Sequence, residues 1–147
     1  MVKILKCDLL ESDAKYICHQ VNCKGVMGSG VAKAIADKWP IVKEHYVEFC
    51  KGFSESELIG TTQVREVAPN KYVINIFGQT DYGRTQKLYT SYDALASAFE
   101  EMRTYVNGSI AFPYRFGCGL ANGDWATVEQ LIVNHLGDFD VTICLKE

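Results

Sequence analysis

Apolar residues fall into two rhythms along this chain. One is a two-residue alternation, or a short apolar run rich in β-branched side chains, and it predicts strands at 2–6, 14–21, 61–67, 72–77, 109–113 and 140–145. The other recurs every three to four residues and predicts helices at 29–38, 41–51, 91–106 and 125–136. Ser91 and Asp124 stand where N-caps belong, just ahead of the third and fourth helices. Pro40 separates the first two, because proline disfavours helical geometry in the residue before it. Asn107 and Gly108 supply a turn ahead of the fifth strand. Strands and helices interleave, so the expected fold is α/β, a sheet sandwiched between helices.

Composition narrows this picture. With 147 residues, 48% of them hydrophobic, the chain fits a single domain over 1–147 with a full core. A net charge of −3 and a pI near 5.6 leave no basic footprint, which argues against general nucleic-acid binding. No apolar run approaches the length of a membrane span. Cys7, Cys18, Cys23, Cys50, Cys118 and Cys144 form no CxxC pair, and no charged-then-apolar leader opens the chain, so a reduced cytoplasmic protein is expected. Cys18, His19 and Cys23 match no zinc spacing and lie across a strand end, where alternate side chains face opposite ways. Neither a metal nor a cofactor is expected.

Candidate chemistry concentrates in two loops built alike. After the second strand come Gly25-Val-Met-Gly28-Ser29-Gly30 and a helix near Val31; after the fifth come Tyr114-Arg-Phe-Gly117-Cys118-Gly119-Leu120-Ala121-Asn-Gly123 and a helix from Asp124. Glycine lets backbone approach a ligand, and the first N–H groups of a helix point beyond its N-terminus, a geometry that suits phosphate. A single such loop reads most simply as a tight turn. Two of them, both after strands and before helices, belong at the carboxyl edge of one sheet, where ligands of open α/β folds bind, and a pair suits a diphosphate. Gly117-Cys118-Gly119 resembles the start of a GxGxxG fingerprint, but the next glycine comes one residue late and too little chain follows for the rest of a dinucleotide fold. No GK[ST] follows either cluster, so a P-loop is excluded as well.

Four polar residues accompany the loops. Asp8 ends the first strand, where its carboxylate either accepts from a base amino group or caps a turn. Asn22 precedes the first glycine loop and either contacts a sugar hydroxyl or stabilises the turn. His19 lies in an apolar strand, the usual setting of a satisfied core histidine. Tyr114, Phe116 and Phe77 are the candidates for an adenine-stacking face.

Taken together, KCDLL at the first strand end, HQVNCKGVMGSGVAKAI and FGCGLANGDW make the chain resemble a macro domain, the ADP-ribose-binding module, over nearly its whole length. Within that family it is similar to the small branch of ADP-ribose-1″-phosphate phosphatases and terminal ADP-ribose glycohydrolases. The resemblance implies a three-layer α/β/α fold with a mixed sheet and a monomer. Its implied ligands are ADP-ribose, ADP-ribose-1″-phosphate or ADP-ribosylated macromolecules. By position it places Asp8 and Leu9 at the adenine, Asn22 near the distal ribose, Gly28, Ser29, Gly30 and Val31 in the first phosphate loop, and Gly117, Cys118, Gly119, Leu120 and Ala121 in the second. The glycohydrolases' nucleophilic lysine falls near Gly78 and Gln79 here, and the aspartate after their G-C-G-L is Ala121. The phosphatase-like members carry a histidine where His19 stands. His19 is thus the first catalytic candidate, as base toward water or acid toward a leaving oxygen, and Asp124 the second. The activity implied is hydrolysis of ADP-ribose-1″-phosphate or removal of ADP-ribose from a target, with a non-catalytic ADP-ribose reader as the competing class.

Overall fold

The computed structural model describes residues 1–146. Six strands, β1 (Val2–Lys6), β2 (Tyr16–Val21), β3 (Thr62–Ala68), β4 (Lys71–Phe77), β5 (Ile110–Pro113) and β6 (Val141–Leu145), form one sheet in the order β1-β6-β5-β2-β4-β3. All neighbours run parallel except β3, which pairs antiparallel with β4. The sheet is therefore mixed. The hairpin joining β3 to β4 turns at Asn70, whose φ of 58° is one that asparagine tolerates better than most residues.

Burial follows from sheet position. β2, β4 and β5, covered on both faces, read as near-continuous apolar runs, whereas edge strand β3 alternates half-buried and exposed residues. On one face Cys18, Ile74 and Phe112 pack under α4 (Tyr92–Arg103) and α5 (Trp125–Leu136). On the other, Ile17, Val21, Val73 and Phe77 pack under α1 (Gly30–Lys38), α2 (Pro40–Lys51) and the short α3 (Glu55–Leu58). The result is the expected three layers.

The expected elements are present with shifts of one to three residues at their ends. Pro40 is the first residue of α2, and Trp39 ends α1 and begins α2 with φ −129°. The expected third helix ends at Arg103 rather than 106, because Thr104 bonds back to Glu101 and Met102 as a cap. Two short helices were not expected. A 3₁₀ turn at Leu9–Glu11 is capped by Asp8, and α3 starts from a capping box in which Ser54 and Glu57 bond each other's backbone N–H.

Two packing features aim the carboxyl edge. Phe116, 2% exposed, meets Phe112 edge-on at 5.2 Å between centroids and so roots the second glycine loop in the core. Tyr46 on α2 donates to the Asn22 carbonyl oxygen (2.6 Å) and to Oδ1 (2.9 Å), tying the start of the first loop to the helix layer.

Candidate functional site: a trench between two glycine loops

β2 and β5 are parallel neighbours, with Tyr16 opposite Ile110 and Ile17 opposite Ala111, so the loops that leave their carboxyl ends emerge side by side. In the first loop Ser29 is the N-cap of α1, yet its side chain makes no capping bond and Oγ instead lies 3.3 Å from Arg84 Nη2. The N–H groups of Gly30, Val31 and Ala32 belong to the first helical turn and have no intrahelical acceptor. In the second loop the backbone closes on itself through Cys118 N–H to Arg115 O, Asn122 N–H to Gly119 O and Gly123 N–H to Gly117 O. Those bonds leave the N–H groups of Gly119, Leu120 and Ala121 unused. A Cβ built on Gly28, Gly30 or Gly119 would meet nothing within 4 Å, so each presents bare backbone to open space. Gly30 has φ +59°, a conformation glycine adopts without strain.

Three connected cavities form a trench along this edge. A central one of about 360 Å³ lies between the loops, bordered by Ser29, Gly30 and Val31 on one side and Gly117, Gly119, Leu120 and Ala121 on the other. It shares Gln20, Ser29, Gln79 and Ala121 with a terminal cavity of about 390 Å³, where Arg84 is the only charged lining residue among the described residues. At the opposite end it shares Gly30, Val31, Tyr114 and Arg115 with a cavity of about 520 Å³ that reaches Asp8 and Leu9. Val31 and Leu120, both exposed, flank the centre as apolar edges.

Asp8 does two things. Its Oδ1 accepts from Leu10 N–H at 3.0 Å, and Oδ2 lies 3.6 Å from Lys146 Nζ, so the carboxylate caps the 3₁₀ turn while bordering the Asp8-end cavity. Asn22 holds the turn: Oδ1 accepts from the N–H groups of Lys24 and Val26, and Nδ2 donates to Val26 O at 2.8 Å. Only its second Nδ2 hydrogen remains for a ligand in the terminal cavity, which Asn22 borders. Cys118 borders none of the three cavities: its N–H donates to Arg115 O, its Sγ turns inward to Phe116 O, and burial pushes the thiol up to about 11.

Two candidates, Asp124 and Phe77, lie outside the trench. Asp124 does not border the trench; its carboxylate accepts from Thr127 N–H (3.0 Å) and Oγ1–H (2.7 Å) as the N-cap of α5, and the Thr127 hydroxyl holds it below the usual carboxylate range. Phe77 is a core residue, 0% exposed; Phe116, though 2% exposed, borders the central cavity, and Tyr114 borders both the central and the Asp8-end cavities, its ring edge-on to Trp125 at 5.0 Å.

His19 borders the central cavity although it is 1% exposed. Its Nε2 lies 2.5 Å from Asn75 Oδ1, and its Nδ1 is buried without a partner. Burial pushes the imidazolium down to about 4, so the ring is neutral near pH 7. Among the described residues no group of three or more His, Cys, Asp and Glu could hold a metal ion.

Several site residues escaped the sequence reading. Gln20 borders both the central and terminal cavities, and its Nε2 donates to Gln79 Oε1 (2.8 Å) and Thr90 Oγ1 (2.9 Å). Thr90 in turn donates to Gly117 O at 2.6 Å. Any Cβ at Gly78 or Gly117 would come within 2.8 Å of Gln20 Oε1, so both glycines are required by this side chain. Arg84 sits in a segment joined to the second loop, because Asn122 Nδ2 donates to Thr85 O and Lys87 O, and Ala121 O accepts from Tyr89 and Thr90 N–H. A sequence signal existed only for Gln20, which adjoins His19 in the quoted strand; Arg84 lies in a segment with no periodicity.

The macro domain family model matches residues 18–132. The Saccharomyces cerevisiae protein named ADP-ribose 1″-phosphate phosphatase is 25% identical over 162 residues, covering 90% of this chain and 90% of its own length. The Mycobacterium tuberculosis DNA ADP-ribosyl glycohydrolase is 29% identical over 140 residues, covering 92% of this chain but only 40% of that protein. Among solved structures, the macrodomain of Mycobacterium tuberculosis DarG superposes with a TM-score of 0.81 at 26% identity, over 99% of this chain and 97% of that one.

Two outcomes are expected from this geometry. Gly119→Glu places a carboxylate where the free N–H groups converge, and should abolish binding of a diphosphate ligand in calorimetry while the far-ultraviolet circular dichroism spectrum stays parental. Asp124→Ala should lower stability by about 1 kcal/mol in thermal melts, the usual loss of an N-cap, with ligand affinity unchanged.

Proposed function

We propose that this chain, which belongs to the macro domain family, binds ADP-ribose in the trench and hydrolyses ADP-ribose-1″-phosphate. The observation that carries this reading is the pair of glycine loops with free N–H groups on opposite sides of one central cavity. That arrangement suits a diphosphate, with adenosine toward Asp8, Leu9 and Tyr114 and the distal ribose toward Asn22 and Gln20. The names of the yeast and mycobacterial relatives support an ADP-ribosyl substrate.

Arg84 favours the phosphatase reading over removal of ADP-ribose from a macromolecule. Among the described residues it is the one charge lining the terminal cavity, next to the Ser29 hydroxyl, and a guanidinium there matches a terminal phosphate. In the proposed step the oxygen of water bonds to phosphorus as a water proton passes to His19 Nδ1, the phosphorus–O1″ bond breaks, and the released O1″ takes up that proton from His19, which returns to its neutral state. A neutral imidazole is in the right state to accept the water proton. The lysine and aspartate of the covalent glycohydrolase route have no counterpart, since Gly78, Gln79 and Ala121 occupy those places.

One observation favours a second reading, a non-catalytic module that reads or sequesters ADP-ribose. Among the described residues no histidine, carboxylate or lysine lines the terminal cavity, and His19 borders the neighbouring central cavity instead. Action as a single-domain monomer in the cytoplasm belongs to the same proposal; among the described residues no helix is long and apolar enough to cross a membrane.

Calorimetry and phosphate release test the reading together. ADP-ribose should bind at least about 10-fold more tightly than AMP, a difference of roughly 1.4 kcal/mol, and comparable affinities would remove the two-loop assignment. His19→Ala should lower phosphate release by roughly 100-fold with ADP-ribose affinity nearly unchanged. A parent protein that binds ADP-ribose and releases no phosphate would establish the second reading. Arg84→Ala should weaken ADP-ribose-1″-phosphate by roughly 10-fold while leaving ADP-ribose within about two-fold, because a charge-assisted bond is lost only with the former.

A further inference from the structure

Beneath the trench, on the sheet face covered by α1 and α2, three strands contribute one polar side chain each at matched positions. The register sets His19 on β2 opposite Asn75 on β4, and Asn75 opposite Gln63 on β3. Asn75 is 1% exposed and its neighbours on that face, Val73 and Phe77, are wholly buried. A polar row in such a place is costly unless its bonds are complete, and these bonds run in only one direction.

That direction is fixed from the outer end. The main-chain oxygen of His45 on α2 can only accept, so Gln63 Nε2 donates to it at 3.2 Å. Gln63 Oε1 is thereby turned toward Asn75 and takes a hydrogen from Nδ2 at 3.0 Å. Asn75 Oδ1 then faces His19, and an amide oxygen has no hydrogen to give. Nε2 of His19 must carry the proton across the 2.5 Å contact, which leaves Nδ1 with a lone pair and no protein donor.

We propose that Asn75, braced by Gln63, is a positioning residue that locks His19, which borders the central cavity, in the Nε2–H tautomer and so keeps its unpartnered Nδ1 as a bare acceptor. The inference rests on His19 being the base in the reading above. It goes beyond that reading by assigning the tautomer to a relay that ends at a helix carbonyl on the far side of β3. Burial, which keeps the ring neutral, reinforces the lock, because an imidazolium would carry hydrogens on both nitrogens. A merely structural stitch between strands would be indifferent to which nitrogen bears the proton. The relay is not.

Long-range nitrogen–proton NMR correlations on the full chain, with the three histidines separated by single substitutions of His45 and His135, read the tautomer directly. Parent protein at pH 7 should show His19 with a protonated Nε2 and a bare Nδ1, and the reverse pattern would overturn the proposal outright. Asn75→Leu removes the acceptor, so the Nε2–H signature should be lost or mixed and kcat for phosphate release should fall by roughly 10-fold or more with KM within about two-fold. Asn75→Asp keeps an oxygen toward Nε2 but has no hydrogen for Gln63 Oε1 and, as a carboxylate, favours hydrogens on both ring nitrogens, so Nε2–H should persist while turnover does not recover. If Asn75→Leu does not fold, Gln63→Leu takes its place, since it frees the Asn75 amide to turn while cutting a partly buried edge-strand contact. A parental tautomer and parental kcat in the folded variant would overturn the lock. A parent without phosphatase activity would instead sink the catalytic reading while the tautomer measurement still decided the relay.

Discussion

Everything in the trench depends on β2 and β5 being adjacent and parallel. Neighbouring strands lie about 4.8 Å apart, so the loops that leave their carboxyl ends are forced side by side, and each then runs into a helix. N–H groups of both loops that have no acceptor in the chain therefore border one cavity. An anionic ligand takes the place of the acceptors that the chain itself does not provide. Antiparallel pairing of the same two strands would have sent the loops to opposite edges.

The supports are two different solutions to holding a glycine loop still. The first loop is tied by polar bonds, with Asn22 spanning its turn and Tyr46 gripping Asn22 from α2. The second is held by apolar packing at its root, where Phe116 sits among Phe99 and Phe112, and by internal backbone bonds above. Gln20 then joins the two ends of the trench from below through Gln79, Thr90 and the Gly117 carbonyl. Since a Cβ at Gly78 or Gly117 would collide with Gln20, these glycines serve packing, whereas Gly28, Gly30 and Gly119 face open space. The loops thus contain glycines of two kinds, and only the second kind points to a ligand.

Much of this was legible in the sequence because its causes are local. Strand and helix periodicity marks all six strands and the four longer helices, and the repeated strand–glycine–helix order assigns both loops to one sheet edge. Asn22 and Asp124 each carried a bland structural reading beside a functional one, and for both the structure supplies that bland reading in full. What stayed hidden depends on cross-strand register. Nothing near Asn75 or Gln63 in the chain reveals that they meet His19, and Arg84 reaches Ser29 only through a segment folded over by Asn122. Phe77 fills the core, yet an aromatic near a strand end looks the same in sequence whether it packs inward or lines the cleft; Phe116 both roots its loop and borders the central cavity.

The central claim is that one ligand uses the backbone of both loops at once. Titrating ADP-ribose into nitrogen-labelled protein and following backbone amide shifts tests it most directly. The account predicts that the amides of Gly30, Val31 and Ala32 and those of Gly119, Leu120 and Ala121 move together, along one binding curve, and more than any others in the chain. Shifts confined to a single loop, or two groups saturating at different concentrations, would contradict it.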